Sequence, residues 1–176
     1  MIMGLDISTS ITGVTVLNSN GGVVLCDVLD LRKNKNFFQK VEKAKVLLEE
    51  IKKNQAIEEI FIEQSLQSFR SGFSSAQTLS TLSRFNGTLS WICYELFNVV
   101  PEFVGASTAR RLCGIKVPKG RKAKEVVLEK ILDIDPNFVI EYTKYGNPKP
   151  GTYDKADSLV IAKAGYEICK EKNSSF

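Results

Sequence analysis

The sequence predicts an α/β domain built on a mixed five-stranded sheet, its first three strands antiparallel, flanked by helices. Three observations carry this expectation. Three strand-like runs follow one another through short turns at the start of the chain. An amphipathic helical run then separates the third strand from a fourth, and the chain closes on a second long amphipathic run.

Residues 1–7 (MIMGLDI) read as a buried strand, residues 11–18 (ITGVTVLN) alternate like a second, and residues 22–31 (GVVLCDVLDL) like a third. Asn18, Ser19, Asn20, Gly21 and Gly22 supply turn chemistry between the last two, so the three should form an antiparallel meander. Residues 37–55 place Phe37, Val41, Ala44, Leu48 and Ile51 at helical spacing, and EEIFIEQ follows as a fourth strand. A strand-helix-strand crossover normally sets its two strands parallel.

After a Ser/Gly-rich stretch, SLQSFRSGFSS, residues 76–98 form a long apolar helix interrupted by Gly87. VVPEFVGA reads as a fifth strand, STARRLCG as a short helix opening on a Ser/Thr cap, and RKAKEVVLEKIL as a further helix. The segment from Tyr142 to Tyr153 is turn-rich and reads as a mobile loop. In the closing helix Ala156, Leu159, Val160, Ala164 and Ile168 share one face.

A chain of 176 residues with 43% hydrophobic and 25% charged residues suits one domain spanning 1–176. No apolar run is long enough to cross a bilayer and residues 1–9 lack the marks of a signal peptide, so a cytoplasmic protein is expected. Cys26, Cys93, Cys113 and Cys169 lie far apart without a CxxC pair, which suggests reduced cysteines rather than a zinc ribbon or disulfide framework. The absence of histidine excludes Ser-His and Cys-His catalysis and histidine-bound zinc. Chemistry here must run on carboxylates, lysines or hydroxyls.

Four acids stand out by position. Asp6 ends the first strand, Glu63 ends the fourth, and Asp154 and Asp157 open the last helix, three apart and so on one face. Asp6 inside an apolar strand and Glu63 after Ile60, Phe61 and Ile62 are hard to explain as solvated surface. Asp154 and Asp157 taken singly could serve as a helix cap and a dipole partner. If the first and fourth strands are neighbours, all four acids meet. A cluster of like charges needs cations, and hard oxygen ligands of this kind suit Mg²⁺ or Mn²⁺. Two such ions, about 3.5 to 4 Å apart, activate water and stabilise a leaving oxygen in phosphodiester hydrolysis.

The motifs around these acids resemble those of the RuvC family of Holliday junction resolvases. GLDISTSITGVTVL resembles the first motif, IFIEQ the second, and YDKADSLVIAKAGY the paired-acid last motif, in order and over nearly the whole chain. Ser8 stands where these enzymes usually carry glycine. The resemblance implies an RNase H-like fold and a Mg²⁺-dependent endonuclease acting on branched DNA, with two ions held by Asp6, Glu63, Asp154 and Asp157 and Mn²⁺ able to substitute. It also makes Lys122 the basic residue near the scissile phosphate, with Arg111 a second candidate.

A formal net charge of +4 says little by itself, but Arg110, Arg111, Lys116, Lys119, Arg121, Lys122 and Lys124 follow one another with no acid among them. Such a stretch suits a phosphate track, although a solvated helix face is the plainer account of any single lysine. Phe69 and Phe73 lie in a polar stretch without periodic core positions. One of them, preferably Phe69 for its nearness to Glu63, is expected to wedge between or stack on bases, with Arg70 on a phosphate. The helix over 76–98 has more apolar surface than one small sheet needs, which suggests a homodimer, since resolving a four-way junction takes two opposed nicks.

Three alternatives stand beside this reading. An ATPase of the actin/sugar-kinase superfamily would need a second glycine-rich phosphate loop, which the chain lacks. A proofreading-type exonuclease would carry Glu two residues after Asp6, where Ser8 stands. A non-catalytic branched-DNA binding module of the same fold has no need of all four acids.

Overall fold

The computed structural model describes residues 1–64 and 76–174. Three antiparallel strands open it: β1 (Ile2–Asp6), β2 (Ile11–Leu17) and β3 (Val23–Asp30). Helix α1 (Phe37–Asn54) crosses to β4 (Glu59–Glu63), and α2 (Ala76–Phe97) leads to β5 (Glu102–Val104). The chain then forms α3 (Ala106–Leu112), α4 (Ala123–Ile134) and α5 (Thr152–Ser174). The sheet order is β3-β2-β1-β4-β5, antiparallel across the first three strands and parallel from β1 to β4 to β5. This is the mixed five-stranded sheet that the sequence predicts.

Helices cover both faces of the sheet. Met3, Leu5, Val14, Val16, Ile60 and Ile62 point to one face, where Ala44, Leu48 and Ile51 of α1 meet Phe85, Leu89 and Ile92 of α2. The other face packs Leu17 and Phe61 against Leu159 and Val160 of α5, Val127 and Ile131 of α4 and Ala109 of α3. Coverage on both sides explains why every residue of β2 is buried. α5 lies so close to the sheet that a Cβ at Gly165 would fall 2.2 Å from the Phe61 ring. Glycine is required there by contact rather than by backbone conformation.

In the turn-rich segment before α5, Tyr142 pairs with Pro148 in an antiparallel bridge, Thr143 N–H donates to Asn147 O at 2.8 Å, and Gly146 turns the tip at φ 76°. Lys149 N–H returns to Glu141 O, so the segment satisfies its own backbone as a small hairpin. Helix α2 runs unbroken through Gly87, where the lost propensity is tolerated because neighbouring turns pack on the core. Asn36 caps α1 by accepting from Gln39 N–H, and the four cysteines are unpaired. Among the described residues no helix is long and apolar enough to cross a membrane.

Candidate active site

Register brings the first two acids together. β1 and β4 run parallel with Leu5 opposite Ile62, so the next residues, Asp6 and Glu63, leave neighbouring strands at the same end of the sheet. Asp6 lies opposite Gly13 on the other side. The loop after Asp6 is held by Thr12, whose hydroxyl donates to Ser8 O at 2.9 Å and accepts from Ser8 N–H at 3.2 Å.

α5 delivers the other two acids. Its start lies against β2 because Gly13 has no side chain: a Cβ there would be 2.0 Å from the Asp154 carbonyl oxygen. The buried Thr15 and Ser158 hydroxyls, 2.9 Å apart, and Cys26 Sγ donating to Lys155 O lock the helix against the sheet. The helix begins at Thr152, so Asp154 sits inside the first turn rather than at the cap, one turn before Asp157.

The carboxylates feel one another. Burial, then the charges of Glu63, Asp157 and Asp154, push Asp6 well above the ordinary carboxylate range. Burial and Asp157 raise Glu63 to about 7, against the opposing pull of Arg110. Burial and Asp154 raise Asp157 to about 6, while Arg110 and Lys124 draw it down. Burial also raises Asp154, offset by its own backbone N–H, Arg32 and Lys124. Among the described residues no three acids or thiols are drawn in to the spacing of a closed metal cage. The four are near enough to act on one another's charge, as like charges that share a site do. An all-oxygen donor set with excess negative charge fits Mg²⁺ or Mn²⁺.

Of the basic stretch, the charges of Arg110 on α3, half-buried, and of Lys124 on α4, exposed, reach Asp157, and Lys124 Nζ stands 4.9 Å from the centre of the Tyr153 ring. Lys122 precedes α4 as its N-cap residue, is 73% exposed, and pairs with Glu125 at 3.2 Å, while Arg111 is exposed on α3 next to the inward Arg110. On α3, neighbouring residues point about 100° apart, so Arg110 and Arg111 face different ways. Lys116 and Lys119 are exposed, and Arg121 is tied to Glu129. The stretch is therefore less unrelieved than its sequence suggests, because the acids that partner it lie one and two turns further along α4. Phe69, Arg70 and Phe73 lie outside the described residues. Arg32, whose charge reaches Asp154 from the end of β3, was missed; its signal was the run Arg32, Lys33, Lys35 without an acid.

No family model and no curated protein sequence matches the chain. Solved structures do. Thermus thermophilus RuvC in complex with a Holliday junction substrate superposes with a TM-score of 0.69 at 16% identity, covering 97% of this chain and 94% of that one. A structure of Thermus thermophilus RuvC gives 0.63 at 19% identity, covering 97% and 96%. The yeast mitochondrial Holliday junction resolvase Ydc2 gives 0.58 at 14% identity, covering 98% and 80%. With 97% or more of this chain covered in each case, and a mixed five-stranded sheet flanked by helices, this chain has the RuvC-like form of the RNase H-like fold.

Proposed function

We propose that this chain is a metal-dependent, structure-selective endonuclease that hydrolyses phosphodiesters in branched DNA, four-way junctions included, and works as a homodimer. One observation carries the reading: three separate elements bring four acids to one end of the sheet, where burial and mutual repulsion hold their pKa values up. An arrangement that costs stability in the free protein is expected where function requires it. The structural likeness to junction resolvases, one of them described with a Holliday junction substrate, supports the substrate class.

Asp6, Glu63, Asp154 and Asp157 would hold two Mg²⁺ ions, which supply an activated water and charge stabilisation at the leaving oxygen. The protein's own groups bind and orient. Arg110 and Lys124, whose charges reach Asp157, would hold the scissile phosphate. Lys116 and Lys119 are free to take neighbouring phosphates without reading bases. Trp91, 63% exposed, and Tyr94 lie with their rings tilted and 5.6 Å apart on the outer side of α2, a surface suited to a two-fold partner.

The deciding experiment compares cleavage of labelled four-way, three-way, flap and linear duplex DNA, with Mg²⁺ and with chelator, by wild type and Asp6→Asn. Metal-dependent cuts in branched substrates that vanish in Asp6→Asn are expected. Tight junction binding with no cleavage at any metal concentration would instead identify a non-catalytic binding module.

A further inference from the structure

On the β3 side of the carboxylates the chain leaves the sheet through residues for which the proposed chemistry has no use. β3 ends at Asp30 opposite Ile11, and Leu31 N–H donates to Ser10 O at 2.8 Å. The turn that follows therefore rises from the same sheet end as Asp6. It carries Arg32, Lys33 and Lys35, α1 adds Lys40, and no acid lies between Asp30 and Glu42.

These cations are held at the site's rim. Asp30 fixes the Arg32 guanidinium at 2.9 and 2.6 Å, and Lys40 Nζ donates to Thr9 O in the loop after Asp6. Lys33 and Lys35 are exposed and, among the described residues, form no ion pair. Beside them Phe38 is 72% exposed, its ring edge-on to Phe37 at 5.6 Å; Phe37 is itself packed on Phe85 with Arg84 above it. The ring is thus propped outward rather than dangling.

Exposed lysines alone would describe any solvated helix start, but an outward ring on a packed base, set among cations, is the combination that holds single-stranded nucleic acid. We propose that the β3–α1 turn is a second DNA contact, which takes an unpaired strand leaving the carboxylates toward β3, with Phe38 stacking on a base and Lys33 and Lys35 on phosphates. The proposal rests on the endonuclease reading. Topology separates this surface from the α3–α4 stretch: α3 follows β5, the opposite edge of the sheet from β3. The two surfaces would hold the substrate on either side of the scissile phosphate.

Fluorescence anisotropy of the full chain with labelled oligo-dT and with a four-way junction tests it, across a salt series. Three variants are compared with wild type: Lys33→Ala/Lys35→Ala, Phe38→Ala, and Lys116→Ala/Lys119→Ala as the other surface. The Lys33/Lys35 pair should lower the log-log salt slope for oligo-dT by about 1.4, at roughly 0.7 per single-strand contact. Phe38→Ala should weaken oligo-dT binding by about tenfold and Phe38→Trp should restore it. Since all of these side chains are exposed, melting temperatures should not move. Wild type that binds no DNA would sink the endonuclease reading and this surface with it. DNA binding that is weakened by Lys116→Ala/Lys119→Ala but untouched by the β3–α1 variants, or weakened by them on the junction and not on oligo-dT, would overturn this surface alone.

Discussion

Replacing Glu63 with Gln should make the metal-free protein more stable at pH 8 and leave it unable to cut DNA. In the folded chain Glu63 titrates near 7 instead of 4.5, so the fold holds its proton more tightly than the unfolded chain does. The stability belonging to that proton is fully present below about pH 4.5 and is lost as pH rises through about 7, because an ionised Glu63 is both buried and repelled by Asp157. A rise of about 2.5 pH units corresponds to about 3 kcal/mol at most. Asp157 shares the same repulsion, so about 1 to 3 kcal/mol is the range to expect of one substitution. For a chain of this length each kcal/mol moves the melting temperature by about 2 to 4 °C, which puts Glu63→Gln roughly 3 to 10 °C above wild type at pH 8. Thermal denaturation in chelator at pH 8 and at pH 5 measures it, with the difference shrinking to about 1 kcal/mol or less at pH 5. Saturating Mg²⁺ should stabilise wild type more than the variant. A variant less stable than wild type at both pH values would mean that Glu63 is satisfied in the fold, and the account of the site as a store of electrostatic strain would be refuted.

Gly13→Ala should damage the site from a distance, since its new methyl would meet the Asp154 carbonyl at 2.0 Å; a loss of about 1 to 3 kcal/mol or more in denaturant unfolding and a loss of cleavage are expected. Gly87→Ala, with open space around it on α2, is the contrast and should stabilise by up to about 1 kcal/mol. Lys124→Ala should slow single-turnover cleavage by about tenfold to a thousandfold while Lys122→Ala leaves it near wild type, and the reverse order would return the role to Lys122. Trp91→Glu should convert a dimer to a monomer by light scattering and change paired incisions of a junction into single nicks; a wild-type mass that is monomeric both free and on junction DNA would end the dimer reading.

Much of this molecule is legible in one dimension. The strands show because Met3, Leu5, Val14, Val16, Ile60 and Ile62 repeat with a period of two, and α1 because Ala44, Leu48 and Ile51 repeat with the helical period. These patterns record burial against a neighbouring layer, which local sequence must supply whatever the partner is. Asp6, Glu63, Asp154 and Asp157 were legible as well, because a carboxylate that closes an apolar run, or doubles up at the start of an apolar helix, is seldom placed there by solvation.

Tertiary structure alone decided which cations join them. The charges of Arg110 and Lys124 reach Asp157, and Lys122 pairs with Glu125, relations that a run of basic letters does not show. It also decided that Arg121 and Lys122 are paired with acids of α4, that residues 141–149 close into a small hairpin, and that Gly13 lets α5 come near enough to deliver Asp154. Each of these depends on a distance between residues far apart in the chain or on the angle of a helix about its axis. Periodicity states that a face is buried, whereas contact geometry states what it is buried against, and the chemistry of this site resides in the second.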